Sequence, residues 1–267
     1  MTENVEITVR VLAEDEWSDF GPRIAAIEGA IEYPLGDDGF RIDHGSDYFA
    51  FFRRLGRLCY VVALRDGQIL GVLAAVERQL PTLGSEPVWY LGDLKVVSGG
   101  RGSALTSRLL RALVDERGPR RGYGISMNPG DGAGNRVIKL LRRLPVDCEF
   151  GTDLNFYSLD ASRMDLALPL LRDHRGPVSF VSLRGVKDIV LRSSGRPMSL
   201  LHAQFGSCAQ GGIVAPQDEY THMFCAPSGD ALCMSLTRCA IDPMATATVV
   251  HSGLPSVDWS FVLTSDI

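Results

Sequence analysis

No run of apolar residues in this chain approaches the roughly 20 needed to cross a bilayer as a helix, so no membrane-spanning helix is expected. Basic residues are not in excess either. Lys and Arg number 27 against 32 Asp and Glu, a net charge of −5, which argues against nucleic acid as a partner because phosphates favour a basic face. The opening "MTENVEITVR" carries acids and alternates early, unlike a secretory signal, and the location expected is cytoplasmic. The six cysteines, at 59, 148, 208, 225, 233 and 239, include no Cys-x-x-Cys pair. They read as reduced thiols rather than as a disulfide framework. His222, Cys225, Cys233 and Cys239 are irregularly spaced for zinc; small buried side chains are the simpler expectation, and no metal is expected. Gly-Lys-Ser/Thr is missing, which excludes a Walker-type phosphate loop.

What remains is an ordinary folded composition, long enough for one large domain or two small ones. "ITVRVL" alternates as a strand does, and "EDEWSDFGPRIAAIEGAI" has acids first and then apolar residues at helical spacing. Ser46 is placed to cap a second helix, "DYFAFFRRLG". "LCYVVALRDGQILGVLAAVE" reads as a hairpin about Asp66-Gly67. The strand "VWYLGDLKVV", a glycine turn and the helix "RGSALTSRLLRALVDERG" follow. Then come a strand at "YGISMN", a helix at "GNRVIKLLRRL" and a strand at "TDLNFYSLDA". This order predicts a mixed α/β sheet flanked by helices, antiparallel at first and with crossovers later.

Past residue 160 the texture changes. One helix, "SRMDLALPLLRDH", leads into strand-like runs, among them a hairpin over 219–237 turning at Pro227-Ser228-Gly229-Asp230, then "ATATVVH" and "VDWSFVLTSD". Two domains are expected, 1–160 and 161–267. The later hairpin parallels the one at 58–77, so a degenerate second copy of the first half is one reading of the strand-rich second half, though no residue-level repeat accompanies it.

"SGGRG" delivers an apolar strand straight into a helix. The unpartnered N–H groups of a helix's first turn, with the dipole behind them, suit an anion such as phosphate, and Arg101 stands beside them. Taken alone, such a turn is more often a connector than a binding loop. Its surroundings are more specific. The strand pair Leu94 and Val96, then Arg101 at the helix start, then Leu105, Leu109 and Leu110 on one helix face, resemble the central motif of the GNAT superfamily of acyl-CoA-dependent N-acyltransferases. "YLGDLKV" followed by "RG" is similar to the polyamine acetyltransferase branch. The order of elements matches that fold through about residue 160.

The resemblance implies transfer of an acyl group from acetyl-CoA or a longer acyl-CoA, or from an acyl carrier protein, to a primary amine of a small molecule or peptide. It implies a pyrophosphate held by Arg101, Gly102, Ser103, Ala104, Leu105 and Thr106. The pantetheine arm would lie along the backbone of Lys95, Val96 and Val97, with Asn135 approaching from the next helix. The chain departs from the family at Ala104 and Thr106, where the motif has Gly-x-Gly/Ala. It departs again at Gly92, where the related branch has an acid, and between Asn128 and Phe150, where no Tyr supplies the usual general acid. Asp93 is then a base, a binder of a cationic substrate, or a buried structural carboxylate; strand alternation puts it with Trp89, Leu91 and Lys95. Tyr157 is the nearest later tyrosine for the acid. Of the five histidines, His44 is the candidate in the loop region that covers the acceptor site in this fold. Other readings stand beside this one: a non-catalytic scaffold that binds CoA, a ligand or a protein partner, and a second half that closes over the acceptor groove with Asp266 or the terminal carboxylate as base. Monomer and dimer are both open.

Overall fold

A computed structural model describes residues 6–80, 83–84, 86–97, 102–130, 134–144 and 147–267, with the backbone alone for 102 and 103. Strand β1 (Thr8–Val11) leads to helix α1 (Trp17–Glu28) and a short pair, β2 (Tyr33–Leu35) and β3 (Asp38–Asp43). Helix α2 (Ala50–Leu55) precedes the hairpin β4 (Arg57–Arg65) and β5 (Gln68–Gln79), then β6 (Pro87–Val96). Helix α3 (Gly102–Arg117), β7 (Gly122–Met127), α4 (Arg136–Leu141) and β8 (Glu149–Leu159) complete the first half. The second half runs α5 (Ala161–Arg175), β9 (Val178–Val181), β10 (Asp188–Leu191), β11 (Leu200–Phe205), β12 (Thr221–Pro227), α6 (Ala231–Arg238) and β13 (Ala245–Ser252).

Ten of these strands form one mixed sheet in the order β1-β4-β5-β6-β7-β13-β8-β12-β11-β9, and β10-β3-β2 form a small second sheet. Period-two alternation along β4 and β5 gives the sheet two apolar faces. Cys59, Val61, Leu73 and Trp89 pack under Leu105, Leu109 and Leu113 of α3. Tyr60, Val62, Val72 and Tyr90 pack on the opposite side with Ile24 of α1 and Phe52 of α2. In the second half, Met164, Leu168 and Leu171 of α5 and Leu232 and Leu236 of α6 pack on Tyr157, Leu159 and Phe224.

The expected boundary at residue 160 falls where Asp160 caps α5, accepting from the Arg163 N–H at 2.8 Å. The sheet does not break there. Strand β13 returns from the second half to lie between β7 and β8, antiparallel to both, so residues 245–252 complete the first half's sheet.

Three local expectations change. The hairpin over 219–237 is a strand followed by a helix. Asp230 caps α6 by accepting from the Leu232 N–H at 2.8 Å, and Leu232, Cys233 and Leu236 bury one helical face. Helix α2 starts at Ala50, not after Ser46; the nearby Asp47 carboxylate accepts from Phe49 N–H at 3.1 Å. "VDWSFVLTSD" folds into 3-10 turns at Trp259–Phe261 and Thr264–Asp266 instead of a strand.

Because β13 laces the halves together, a cavity made in the second core should destabilise the first. Leu236→Ala, at a fully buried position far in sequence from every tryptophan but Trp259, should cost about 2–5 kcal/mol. Urea unfolding followed by tryptophan fluorescence should show one transition at a lower midpoint; a second transition, or an unmoved one, would show that the halves unfold apart.

Candidate functional site

Strand β6 gains one residue against β5: Val72 faces Lys95 and Ala74 faces Gly92, so Asp93 and Leu94 together stand opposite Leu73. The bulge puts Asp93 in the left-handed region at φ 55°, which aspartate tolerates better than most residues. It also resets the alternation. Leu94 and Val96 join Trp89 and Leu91 against α3, while Asp93 and Lys95 bond to groups on the face of Tyr90. The simple alternation that grouped Asp93 and Lys95 with Trp89 and Leu91 is thereby corrected.

On its other edge β6 runs parallel to β7 only through Trp89↔Gly122, Tyr90↔Tyr123 and Leu91↔Gly124. Glycine permits this approach: a Cβ at Gly124 would sit 2.9 Å from the Leu91 carbonyl oxygen, and one at Gly122 3.0 Å from that of Trp89. Beyond Leu91 the pair parts, while Ile125, Ser126 and Met127 continue alongside β13. A cavity of about 750 Å³ passes through the opening, lined by Leu110 and Leu113 on one face of the sheet and by Phe40, Tyr90 and Asp93 on the other.

At the bulge sits a buried charge cluster. The Lys95 ammonium forms ion pairs with Asp93 Oδ1 and with Glu28 Oε2 from the end of α1. Tyr48 donates its hydroxyl to Asp93 Oδ2 at 2.8 Å, Tyr60 donates to the same oxygen, and Tyr33 donates to Glu28 Oε1 at 3.1 Å. Burial pulls the Lys95 pKa down, against the opposing pull of Glu28. Burial likewise pushes the three phenols up, so they remain protonated donors. Both carboxylates are thus held by donors, and the cluster of two anions and one cation carries a net negative charge.

His44 lies against Tyr48, with ring centroids 4.6 Å apart, and lines the same cavity. Burial, with the charges of Lys187 and Lys95, lowers its pKa to about 3, against a raising hydrogen bond to the Val186 backbone. Its Nδ1 is buried without a hydrogen-bond partner among the described residues. The structure therefore brings His44, Asp93 and Lys95 to one cavity.

Tyr157 is elsewhere. Its neighbour Phe156 lines the cavity, so alternation turns Tyr157 into the second core, stacked on Phe224 at 4.7 Å. As the expected general acid, it is corrected on that ground. Asn135 lines the cavity, but its side chain is already engaged: Oδ1 accepts from the Val137 and Ile138 N–H groups, and Nδ2 donates to the Ser126 and Met127 carbonyls. Val97 donates its N–H to the Leu70 carbonyl at 2.9 Å, and Val96 packs in the α3 core. Arg101 lies outside the described residues. Gly102 opens α3 and Ser103 follows it; Ala104 is exposed, Leu105 is core, and Thr106 is fully buried. Among the described residues no three His, Cys, Asp or Glu groups come together as metal ligands.

Sequence reading missed Glu28, Tyr48, Tyr60 and Lys187. Glu28 at the end of α1, Tyr48 just before α2 and Tyr60 on β4 meet Lys95 and Asp93 through tertiary packing and the bulge; Lys187 comes from the second half. Asp266, expected near a groove, is instead held by Arg78 at 2.7 Å and Arg54 at 3.5 Å.

His44 and His202 are both neutral in the folded protein, with pKa values lowered to about 3, chiefly by burial. Unfolded, each titrates near 6.5. Stability from these groups is therefore full above pH 6.5 and falls as the pH drops toward 3, by about 1.4 kcal/mol per pH unit for each. His202→Asn should make the loss of unfolding free energy between pH 7 and 5 smaller by about 2 kcal/mol, read from urea titrations at the two pH values. Equal losses in both proteins would contradict a neutral buried His202. Separately, Lys95→Met, which strands two buried carboxylates, should cost about 3–5 kcal/mol; a Met variant as stable as the parent by urea titration would contradict the pairing.

No protein-family model and no curated protein matches the sequence. Solved structures do. A tandem GNAT protein from the clavulanic acid biosynthesis pathway aligns over 92% of this chain and 98% of its own, with TM-score 0.51 and 11% identity. A candidate acetyltransferase from Pyrococcus horikoshii aligns over 98% and 96%, with TM-score 0.50 and 10% identity. A GCN5-related glucosamine N-acetyltransferase region of a fungal multi-domain GH3 β-N-acetylglucosaminidase aligns over 94% of this chain and 38% of its own, with TM-score 0.50 and 10% identity. The chain has the GNAT fold, extended through its second half in the manner of a tandem GNAT protein.

Proposed function

We propose that the protein transfers an acyl group from an acyl-CoA to a primary amine. The observation that carries this reading is the opening between β6 and β7, with a cavity running through the sheet and a buried anionic cluster beside it. A thioester arm laid along β6 past Leu91 meets backbone that has β5 on one edge and no strand on the other. We place its amides against the peptide groups of Lys95 and Val96 and the Val97 carbonyl, the Val97 N–H being already given to Leu70. The pyrophosphate would lie at the start of α3, against Arg101 and the N–H groups of Gly102, Ser103, Ala104, Leu105 and Thr106. Asn135, its polar atoms committed, holds the end of β7 to α4 and positions that wall.

Acyl transfer requires the amine nitrogen to bond to the thioester carbonyl carbon and the carbon–sulfur bond to break. An acceptor that arrives as an ammonium first gives one proton to solvent to free its lone pair; after attack a second proton leaves the nitrogen and one reaches the sulfur. The net negative charge of Asp93 and Glu28 around Lys95 would draw an ammonium group to the cavity. The Val186 hydrogen bond leaves Nδ1 of His44 as the lone-pair nitrogen. It is suited to take the proton once attack has made the amine acidic.

One donor site is expected per chain. In the second half the parallel strands β12 and β13 are separated by β8 rather than by an opening. The N-terminus of α6 is already occupied by the Asp230 carboxylate, which Arg175 pairs. Calorimetry with acetyl-CoA and longer acyl-CoAs should therefore give one equivalent bound, and Arg101→Glu should weaken that binding at least tenfold with little change in melting temperature. Thiol release on a broad amine panel should follow, and His44→Gln should lower kcat/KM by about 10²–10⁴ at unchanged acyl-CoA affinity. No heat with any thioester would end the proposal, and tight binding without turnover on any amine would favour a non-catalytic scaffold.

A further inference from the structure

The second half contributes one charged group to the cavity that nothing so far explains. Lys187 lines it, only 7% exposed, with Nζ 4.7 Å from the centre of the Phe51 ring. Its place is fixed from two sides. The Lys187 N–H donates to the Leu183 carbonyl at 2.9 Å, closing a turn that contains Gly185. That turn presses against the loop carrying His44, where a Cβ on Gly45 would fall 2.2 Å from the Gly185 carbonyl oxygen. The ammonium is therefore delivered to the cavity beside His44 by a backbone contact with no room for a larger residue at 45.

A buried ammonium ordinarily has a carboxylate partner, because leaving water unpaired is costly. Here the carboxylates that act on Lys187, Glu28 and Asp266, are spoken for. Glu28 is bound by Lys95 and Tyr33, and Asp266 by Arg78 and Arg54. Asp93, also in the cavity, is bound by Lys95, Tyr48 and Tyr60. No carboxylate among the described residues pairs with Lys187. The cavity wall is thus negative at the β6 bulge and positive at Lys187, with neutral His44 between the charges of Lys95 and Lys187 that both act on it.

We infer that Lys187 binds a carboxylate on the acceptor, so that the substrate is an amine that also carries a carboxylate group, with its ammonium toward Asp93 and Glu28. Burial and the charge of Arg54 lower the Lys187 pKa to about 8, which leaves most of the population charged at neutral pH. The inference rests on the acyltransferase reading for the role of the amine, but the recognition of a carboxylate is separable from turnover.

The test uses the common amino acids and their carboxamides as matched probes on the full chain, with and without acetyl-CoA. Among those that bind, the acids should raise the melting temperature of the wild type and the matching amides should not. Lys187→Met should abolish the difference while keeping the acetyl-CoA dissociation constant. Where thiol release is seen, the wild type should prefer acid to amide by tenfold or more in kcat/KM, and Lys187→Met should lose at least tenfold on the acid alone. Lys187→Arg, which keeps the charge, should retain the preference in part. Amides that stabilise as well as acids, or a Met variant weakened equally on both, would overturn the assignment. Failure of the donor reading would look different: no acetyl-CoA bound by either protein, with the acid-over-amide shift still present.

Discussion

The extra residue in β6 at Asp93 is the constraint on which the site depends. A regular strand would send Asp93 toward α3, into a face lined by Trp89, Leu91, Leu105 and Leu109, where a carboxylate would find no donors. The bulge turns it instead toward Tyr48, Tyr60 and Lys95. The left-handed backbone at this aspartate costs on the order of 1–2 kcal/mol; three donors to one carboxylate, one of them charged, offset that. Lys95 follows Asp93 across the sheet because the alternation is reset for everything downstream. So a single inserted residue places two charges on the face where Tyr48 and Tyr60 meet them, just past the point where the β6–β7 pairing ends.

The two halves of the chain share a pattern but not a purpose. In the first, a strand, a helix and a parallel strand leave an opening after three paired residues. In the second, the same succession of β12, α6 and β13 has β8 threaded between its strands, and the helix that follows the turn is capped by its own aspartate. A gap filled by a strand cannot take a ligand, and a helix N-terminus satisfied by a carboxylate has lost its attraction for another anion. The second half serves otherwise: β13 finishes the first half's sheet, and the turn after β9 supplies Lys187.

How much of this is legible in the sequence follows from the range of each interaction. Strands β4 and β5, with Asp66-Gly67 between them, and α3, with its leucine spacing, are readable because their signals are local. So is the likeness to the GNAT motif, carried by Leu94, Val96, Arg101 and the leucines. The α6 segment reads as a strand because eight residues of mixed small and apolar character fit either period, and Asp230 as a cap is visible only once the turn is placed. Asp93 and Lys95 are assigned the wrong face because period two has no way to announce a bulge. Glu28, Tyr48 and Tyr60 lie 33 or more residues from Asp93, and no spacing rule links them. Tyr157 draws notice for want of a nearer tyrosine, and its strand register alone decides against it.

What the cluster gives up in stability indicates what it is for. Replacing a buried ion pair with apolar groups of like volume is often neutral or stabilising, and the aromatic rings of Phe49, Phe52 and Tyr60 pack beside this one. Charges kept there in spite of that cost are in keeping with the acyltransferase reading proposed above, in which they act on a group that enters. In a site of low dielectric a fixed charge works over several ångströms with little screening, and phenols held protonated fix which oxygen lone pairs are taken. Under that proposal, an amine passing the β6 bulge would meet anions that are already oriented and a neutral imidazole beside them. The donors are set by the fold itself, and preorganisation of that kind is what acyl transfer at this site would draw on.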